Sequence, residues 1–393
     1  MSLFEAGECI ESRDVADPLQ EIERYQQQFM SAPARELPLF HGGLVGYFGY
    51  DTVRFTESKL MDSCPPDELG VPDILLVLAE EVLIFDGLRG TLTVVVNAGA
   101  TRDNAYEAAL ARLDEIEATL ASVHAQFGSI TLDPALGDFG DSAIRYRTQQ
   151  SEYEDWVERI REYILEGEVM QVVPSQRLLL PLKAAPLSLY RALRNLNPSP
   201  YMYSLDLDGF EVIGSSPEIL VRLEEGLVTV RPIANTRRRG ATEQKDQAME
   251  AELLADKKEI AEHLMLIGLG RVSGAGSVTL TENTVIERYS HVMHIVSNVI
   301  GRARKGMSAV DALRAMEIID ELEPEKRGFC GGAVGYLSWS GNMDTACTMV
   351  VKDGAAILQA DAGIVADSVP SSEWEGTPGK ARAMTRAIAI CSG

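Results

Sequence analysis

The sequence has little cysteine. The five present in 393 residues, Cys9, Cys64, Cys330, Cys347 and Cys391, stand far apart with no CxxC pair, which excludes a disulfide framework or a thiolate zinc site and points to a reducing cytosol. Positive charge is scarce as well. Lysine and arginine number 36 against 59 acidic residues, a formal net charge of −23, so nucleic acid and anionic membrane surfaces are repelled at long range. The start, MSLFEAGECIESRD, has no basic n-region and no apolar h-region, and no uninterrupted apolar run is long enough to span a bilayer. A cytoplasmic protein with no membrane partner is expected. The GxSxG elbow, the P-loop and HExxH are all missing, which leaves hydrolase, nucleotide and zincin readings without support.

What is present builds a core. With 46% hydrophobic and 24% charged residues, disorder and fibrous structure are excluded, and the length suits two domains or one large one. Asp17-Pro18 opens an amphipathic helix through Leu19, Ile22, Tyr25 and Phe29. HGGLVGYFGYD (41–51) suits a strand or bend where backbones approach closely, and DILLVLAEEVLIF and GTLTVVVNAG flank a tight DGLRG turn as a hairpin. A helix carrying Ala109, Leu113, Ile116, Leu120 and Val123 precedes a linker over 125–148. EYEDWVERIREYILEG then reads as a helix stopped by Gly167. Strands follow in QRLLLPL, YMYSLDL, FEVIGSS, EILVRLE and LVTVRPI. A long helix is predicted from Thr242 to about Ile267, a strand hairpin in VTLTENTVIERYSHVMHIVSNVIG, a helix near 308–323 and a last helix from about Gly379. Strand runs interleaved with few helices predict an α+β protein with large, mostly antiparallel sheets.

Candidate chemistry is sparse. Glu259 and Glu262, at i and i+3 of a predicted helix, put two carboxylates on one face, which suits a hard cation, although spacing alone favours a solvated acidic edge. Glu373 and Glu375 form a second acidic cluster. His291 and His294 fall on opposite faces of a strand and cannot serve one site there. A lone imidazole in an apolar strand reads as a core or edge residue more readily than as an acid or base. Arg237, Arg238 and Arg239 read as a solvated rim or as a local exception that admits an anion. GLGRVSGAG (268–276) follows a predicted helix rather than a strand, against a dinucleotide fingerprint.

Taken together and in order, GGLVGYFGYD, NPSPYMYSL, IGSSPEILVR, RPIANTRRRGAT, ELLADKKEIAEHLMLI, ERYSHVMHIVSNV, MEIIDELEPEKRG, GGAVGY, GNMDTA and GIVADSVP closely resemble the component I chains of anthranilate synthases, within the chorismate-utilising enzymes. The resemblance implies that family's fold of packed antiparallel sheets flanked by helices. It also implies a lyase that aminates chorismate, loses the 4-hydroxyl and eliminates pyruvate to give anthranilate for tryptophan biosynthesis, with Mg2+ as cofactor. Residue by residue, it implies Glu262, Glu259 and Glu373 at the metal, His294 as the catalytic histidine, and Thr236, Gly363 and Lys380 at the substrate, Lys380 near the pyruvyl carboxylate. Ala234 discriminates: aminodeoxychorismate and isochorismate synthases often carry a lysine there. With no cysteine in an amidotransferase context, a glutamine amidotransferase component II is implied, hence a hetero-oligomer. Residues 1–140 are expected to be a remnant of the N-terminal regulatory subdomain, lacking the LLES segment, and 141–393 the chorismate-binding catalytic domain. Pro200, Tyr201 and Met202 keep half of a tryptophan site.

The departures gather at the site. Gly376 stands where the family has the second Mg2+-ligating glutamate, Gly379 replaces an asparagine, Asn235 a glycine and Cys330 a tyrosine. Three short stretches of the family pattern are absent, after IGLG, between Leu313 and Met316, and after Ala346. A catalytically impaired homologue that retains the fold and component II docking is therefore the alternative expectation.

Overall fold

The computed structural model describes residues 1–392 except 30, 33–35, 56–59, 61–63, 123–143, 170, 208, 218, 257–259, 261–262, 264–275, 289–291, 304–321, 330, 341–342 and 347–348. At 234–236, 238, 292, 344–346, 349–350 and 392 it describes the backbone alone. The 125–148 linker, the glycine cluster at 268–276 and the helix near 308–323 thus fall wholly or mostly outside the described residues.

Local chemistry starts and stops the first elements. After a hairpin of β1 (Ser2–Glu5) and β2 (Glu8–Ser12), Asp17 caps α1 (Pro18–Gln26) by accepting from the Gln20 amide at 3.0 Å, with Pro18 in the first turn where its missing N–H costs nothing. β3 (Gly43–Phe48) lies between two strands so tightly that a Cβ on Gly46 would come within 2.0 Å of the Leu75 carbonyl, the close approach its glycines predict. The run from Asp73 does not make one strand. β4 (Ile74–Ala79) pairs with β3, and only β5 (Glu81–Asp86) and β6 (Thr91–Val96) make the hairpin, because the chain breaks at Glu80. α2 (Ala105–Ser122) precedes β7 (Arg145–Tyr146), and α3 (Gln150–Glu166) ends at Gly167, whose φ of +82° only glycine adopts freely.

Two antiparallel sheets then form. β8 (Ser175–Pro181), α4 (Pro186–Leu196), β9 (Tyr201–Leu207) and β10 (Phe210–Ser216) are followed by β11 (Val221–Glu224), β12 (Leu227–Val230) and β13 (Ile233–Arg238). After α5 (Glu243–Ala255) come β14 (Thr279–Arg288), β15 (Val292–Arg302), β16 (Ala333–Ser338), β17 (Met343–Ala346), β18 (Met349–Lys352), β19 (Ala355–Asp361) and α6 (Pro370–Ser392). The six-stranded sheet runs β7-β8-β19-β18-β10-β9; the nine-stranded one runs β13-β15-β12-β11-β17-β16-β3-β4, with β14 on β15. Tyr47 and Val334 of the larger sheet meet Leu207, Phe210 and Val212 of the smaller in one buried cluster with Phe329. The other face of the smaller sheet, through Leu178, Leu180, Ala356 and Leu358, is covered by α4 and α6.

Two expectations are corrected. The helix predicted from Thr242 to about Ile267 leaves helical geometry at Asp256, whose carboxylate is held by Arg237 at 3.1 Å, and is helical again at Ile260 and His263. The last helix starts at Pro370, not near Gly379, so Glu373 and Gly376 are helical. Pro378 reads as a breaker, but the Trp374 carbonyl it leaves without an N–H partner accepts instead from the Thr377 hydroxyl at 2.9 Å.

Candidate active site

Sheet register places the first pair of predicted residues. β13 and β15 run antiparallel with Thr236 directly opposite His294 and Ala234 opposite Ile295, and a bulge between them leaves Asn235 without a partner in register. Met293 and Ile295 are fully buried against Leu253 of α5, so alternation turns the half-buried His294 to the other face. Beyond it, the Ser297 hydroxyl accepts from the Thr284 amide at 3.0 Å and lies 2.7 Å from Nε2 of His263. His263 is fully buried, its Nδ1 has no hydrogen-bond partner among the described residues, and burial holds its pKa below the ordinary imidazole value. It follows Glu262 in sequence and is itself tied to β15 through Ser297. Reading the sequence missed His263, because a single histidine on an apolar helix has no distinguishing spacing. Glu259 and Glu262 themselves lie outside the described residues.

The second group sits where β8, β19 and α6 converge. Pro370 opens α6, Glu373 stands in its first turn, and Glu373, position 376 and Lys380 follow at i, i+3 and i+7, a single helix face. Trp374 packs between Tyr146 and Tyr153, at 5.3 and 5.7 Å between ring centroids. Thr377 is buried, and its hydroxyl accepts from Nε2 of Gln176 on β8. Lys380 Nζ lies 3.3 Å from Oδ1 of Asp361, the last residue of β19. Just beyond, the Ala362 amide donates to Pro174 and the Ile364 amide to Val172, at 3.2 and 2.8 Å, which pins the backbone on both sides of Gly363. A Cβ at Gly376 or at Gly379 would meet nothing within 4 Å.

Beneath this lies a buried charged layer. Glu323 accepts from the Ser175 amide at 2.7 Å and hydroxyl at 2.9 Å, and from Nε and Nη2 of Arg327 at 2.7 and 2.6 Å. Arg327 stacks over Tyr50 at 4.9 Å. The fully buried Tyr153 hydroxyl has no partner among the described residues, and burial, then Glu373, Asp361 and Glu323, push its pKa up. Glu323 and Arg327 lie in MEIIDELEPEKRG and Tyr50 in GGLVGYFGYD, but neither motif shows that these residues meet each other and Ser175. Pro200 precedes the edge strand β9, which Tyr201 and Met202 open; there the Arg222 guanidinium donates to the Tyr201 phenol and Met202 packs on the α4–α6 cluster. The described residues contain no group of three His, Cys, Asp or Glu side chains placed to hold a metal ion.

The two packed antiparallel sheets, with their flanking helices and this convergence of β8, β19 and α6, define an α+β chorismate-utilising fold. The family model for chorismate binding enzymes matches residues 3–386, and the chain belongs to that family. It is similar to anthranilate synthase component 1 of Pseudomonas putida, with 52% identity over 99% of this chain and 83% of the relative. The corresponding protein of Pseudomonas aeruginosa is 53% identical over 96% of this chain and 81% of its own length. The crystal structure of anthranilate synthase component I from Streptococcus pneumoniae superposes with a TM-score of 0.81 at 33% identity, covering 98% of this chain and 88% of the other. The menaquinone-specific isochorismate synthase of Escherichia coli, at 18% identity and a TM-score of 0.66 over 94% and 98% of the two chains, shares the fold alone. No helix among the described residues is long and apolar enough to cross a membrane.

Proposed function

We propose that this chain acts as component I of an anthranilate synthase, converting chorismate and ammonia to anthranilate, pyruvate and water. Identity of 52–53% over nearly the whole chain to proteins of that name carries the reading. In it, Thr236 and His294, paired across β13 and β15, both serve the substrate. Thr236 orients it, and His294 exchanges the proton that loss of the 4-hydroxyl and elimination of pyruvate require. Lys380 receives the pyruvyl carboxylate, and the pinned backbone around Gly363 forms the adjoining wall. Ala234 leaves ammonia as the nucleophile, since a small apolar side chain offers none. Ammonia comes from a glutamine amidotransferase component II, which makes the working form a cytoplasmic hetero-oligomer. Residues 1–140, with Pro200, Tyr201 and Met202, contribute to an effector-responsive region.

The described residues fit the family's Mg2+ poorly. Glu373 is the one carboxylate that α6 offers on the lysine face, and Gly376, a turn on, presents open space instead of an oxygen. Mg2+ tolerates few substitutions in its oxygen shell, and Glu373 alone would hold it weakly. This observation favours a second reading, a catalytically impaired homologue that keeps its docking surface.

Anthranilate fluorescence after mixing the protein with chorismate, Mg2+ and excess ammonium decides between them. Signal with ammonium, and with glutamine only after a matching component II is added, is the expected result. Complete silence at high protein concentration sinks the first reading, and failure to co-elute with component II sinks the second. A product with the mass of isochorismate or aminodeoxychorismate overturns the assignment of reaction.

A further inference from the structure

We propose that Asp361 is an internal carboxylate that holds Lys380 in place of the substrate's carboxylate, and that its displacement sets the affinity for chorismate. The inference rests on the proposed function, which gives Lys380 to the pyruvyl carboxylate; the contact with Asp361 is independent of it.

Lys380 Nζ and Asp361 Oδ1 lie 3.3 Å apart, with 53% and 41% of the two side chains exposed. An ion pair this open contributes on the order of 0–1 kcal/mol. It is strong enough to bias the lysine and weak enough for a ligand to break. The two ends differ in freedom. Asp361 is anchored: its backbone is in register with Ser175 on β8, Ser175 is held by Glu323, Gln359 Nε2 donates to the Ser175 hydroxyl at 2.6 Å, and the next amide bonds to Pro174. Lys380 stands on α6 beside the buried Ala381, with a flexible four-carbon stem above a fixed root. A substrate carboxylate that recruits Lys380 must therefore pull the ammonium from a carboxylate that cannot follow, and then sit near that carboxylate. At a separation of about 5 Å in water-like surroundings, the like-charge repulsion adds a further ~1 kcal/mol. The rest of the chain reinforces this, since a protein of net charge −23 gives an anionic substrate no long-range help.

An open ion pair between a strand end and a helix also has a plain structural role, docking α6 on β19. The two roles separate in a cycle of four full-length proteins: wild type, Asp361→Asn, Lys380→Met and the double variant. Chorismate binding is followed by titration calorimetry with Mg2+ present and no ammonia, so turnover is not needed. Thermal melts establish that all four are folded. Asp361→Asn is expected to tighten chorismate binding by about three- to tenfold in the wild-type background and by a clearly smaller factor in the Lys380→Met background, where only the like-charge repulsion is relieved. In turnover the same substitution lowers KM and leaves kcat within about twofold. Equal affinity in wild type and Asp361→Asn overturns the inference and leaves the function intact. Equal tightening in both backgrounds also overturns it, because that is relief of net charge without Lys380. Absence of chorismate binding in all four proteins overturns the reading of function itself.

Discussion

At the scale of single residues, position 376 separates stability from metal binding. Gly376 is exposed in the interior of α6, and a Cβ there meets nothing within 4 Å. Gly376→Glu therefore relieves the entropic cost of a helical glycine and is expected to stabilise the fold by about 0.5–1 kcal/mol in urea, with or without metal. It also adds a carboxylate one turn from Glu373 on the same face, so Mg2+ should bind more tightly by titration calorimetry. Unchanged Mg2+ affinity in a stabilised variant would place the defect elsewhere in the site. Glu325 makes a pH prediction. It is buried between Arg177, at 2.9 Å, and Arg147, at 3.3 Å, and burial, then Glu68, push its pKa from 4.5 up to about 7. The folded state then binds this proton more tightly than the unfolded one, so its contribution is present at low pH and is lost as pH rises from about 4.5 to 7. Glu68, drawn down by Arg147, contributes in the opposite sense, losing stability only as pH falls below its ordinary value of 4.5. Glu325→Gln should remove a fall of about 1–2 kcal/mol between pH 5 and pH 7.5, read from urea midpoints across that range. A slope identical to wild type would show that Glu325 is ionised throughout.

Elements were legible where their signals are local. Asp17-Pro18 and Gly167 bound α1 and α3 as read, because a cap acts through backbone groups within one turn. The start of α6 was not legible. Proline in a helix is discounted for the hydrogen bond it removes, and only the fold shows that Thr377 supplies the Trp374 carbonyl with a replacement donor while accepting from Gln176. The error matters for the site, since a loop at 373–376 fixes no relative geometry whereas a helix sets Glu373, position 376 and Lys380 on one face. Thr377→Val keeps the shape and removes the hydroxyl, leaving a buried amide and a carbonyl unpaired. It is expected to cost about 1–3 kcal/mol and to raise hydrogen exchange at the start of α6. A loss below about 0.5 kcal/mol would show that water replaces the hydroxyl. The pairing of Thr236 with His294 was half legible: both were named from motifs, but 58 residues separate them, and only the β13–β15 register sets one opposite the other.

At the scale of the molecule, alternation and run length identify antiparallel sheets but carry no strand order, because order is decided by contacts hundreds of residues apart. β3 and β4 enter the nine-stranded sheet beside β16, nearly 300 positions later. The segment Glu323–Arg327 adds a charged tie to the apolar cluster that joins the two sheets. Glu323 is bonded to Ser175 in the smaller sheet. Arg327 stacks over Tyr50 next to the larger one, and the Tyr50 amide donates to Gly328 at 2.7 Å. Glu323 and Arg327 are about 95% buried, so removing the acid leaves a guanidinium without its counter-charge inside the protein. Glu323→Ala is therefore expected to cost about 3–5 kcal/mol, and, because the apolar contact between the sheets remains, to shift a single unfolding transition rather than split it. Urea unfolding in a Trp339→Phe background, followed both by the fluorescence of Trp156 and Trp374, on the helix side of the smaller sheet, and by far-ultraviolet circular dichroism would report coincident curves with and without Glu323. Curves that separate without Glu323 would show that the sheets hold together through their apolar contact at Tyr47 and Phe210 only while the charged tie is intact, and curves separate already with Glu323 present would show that the tie does not unite them.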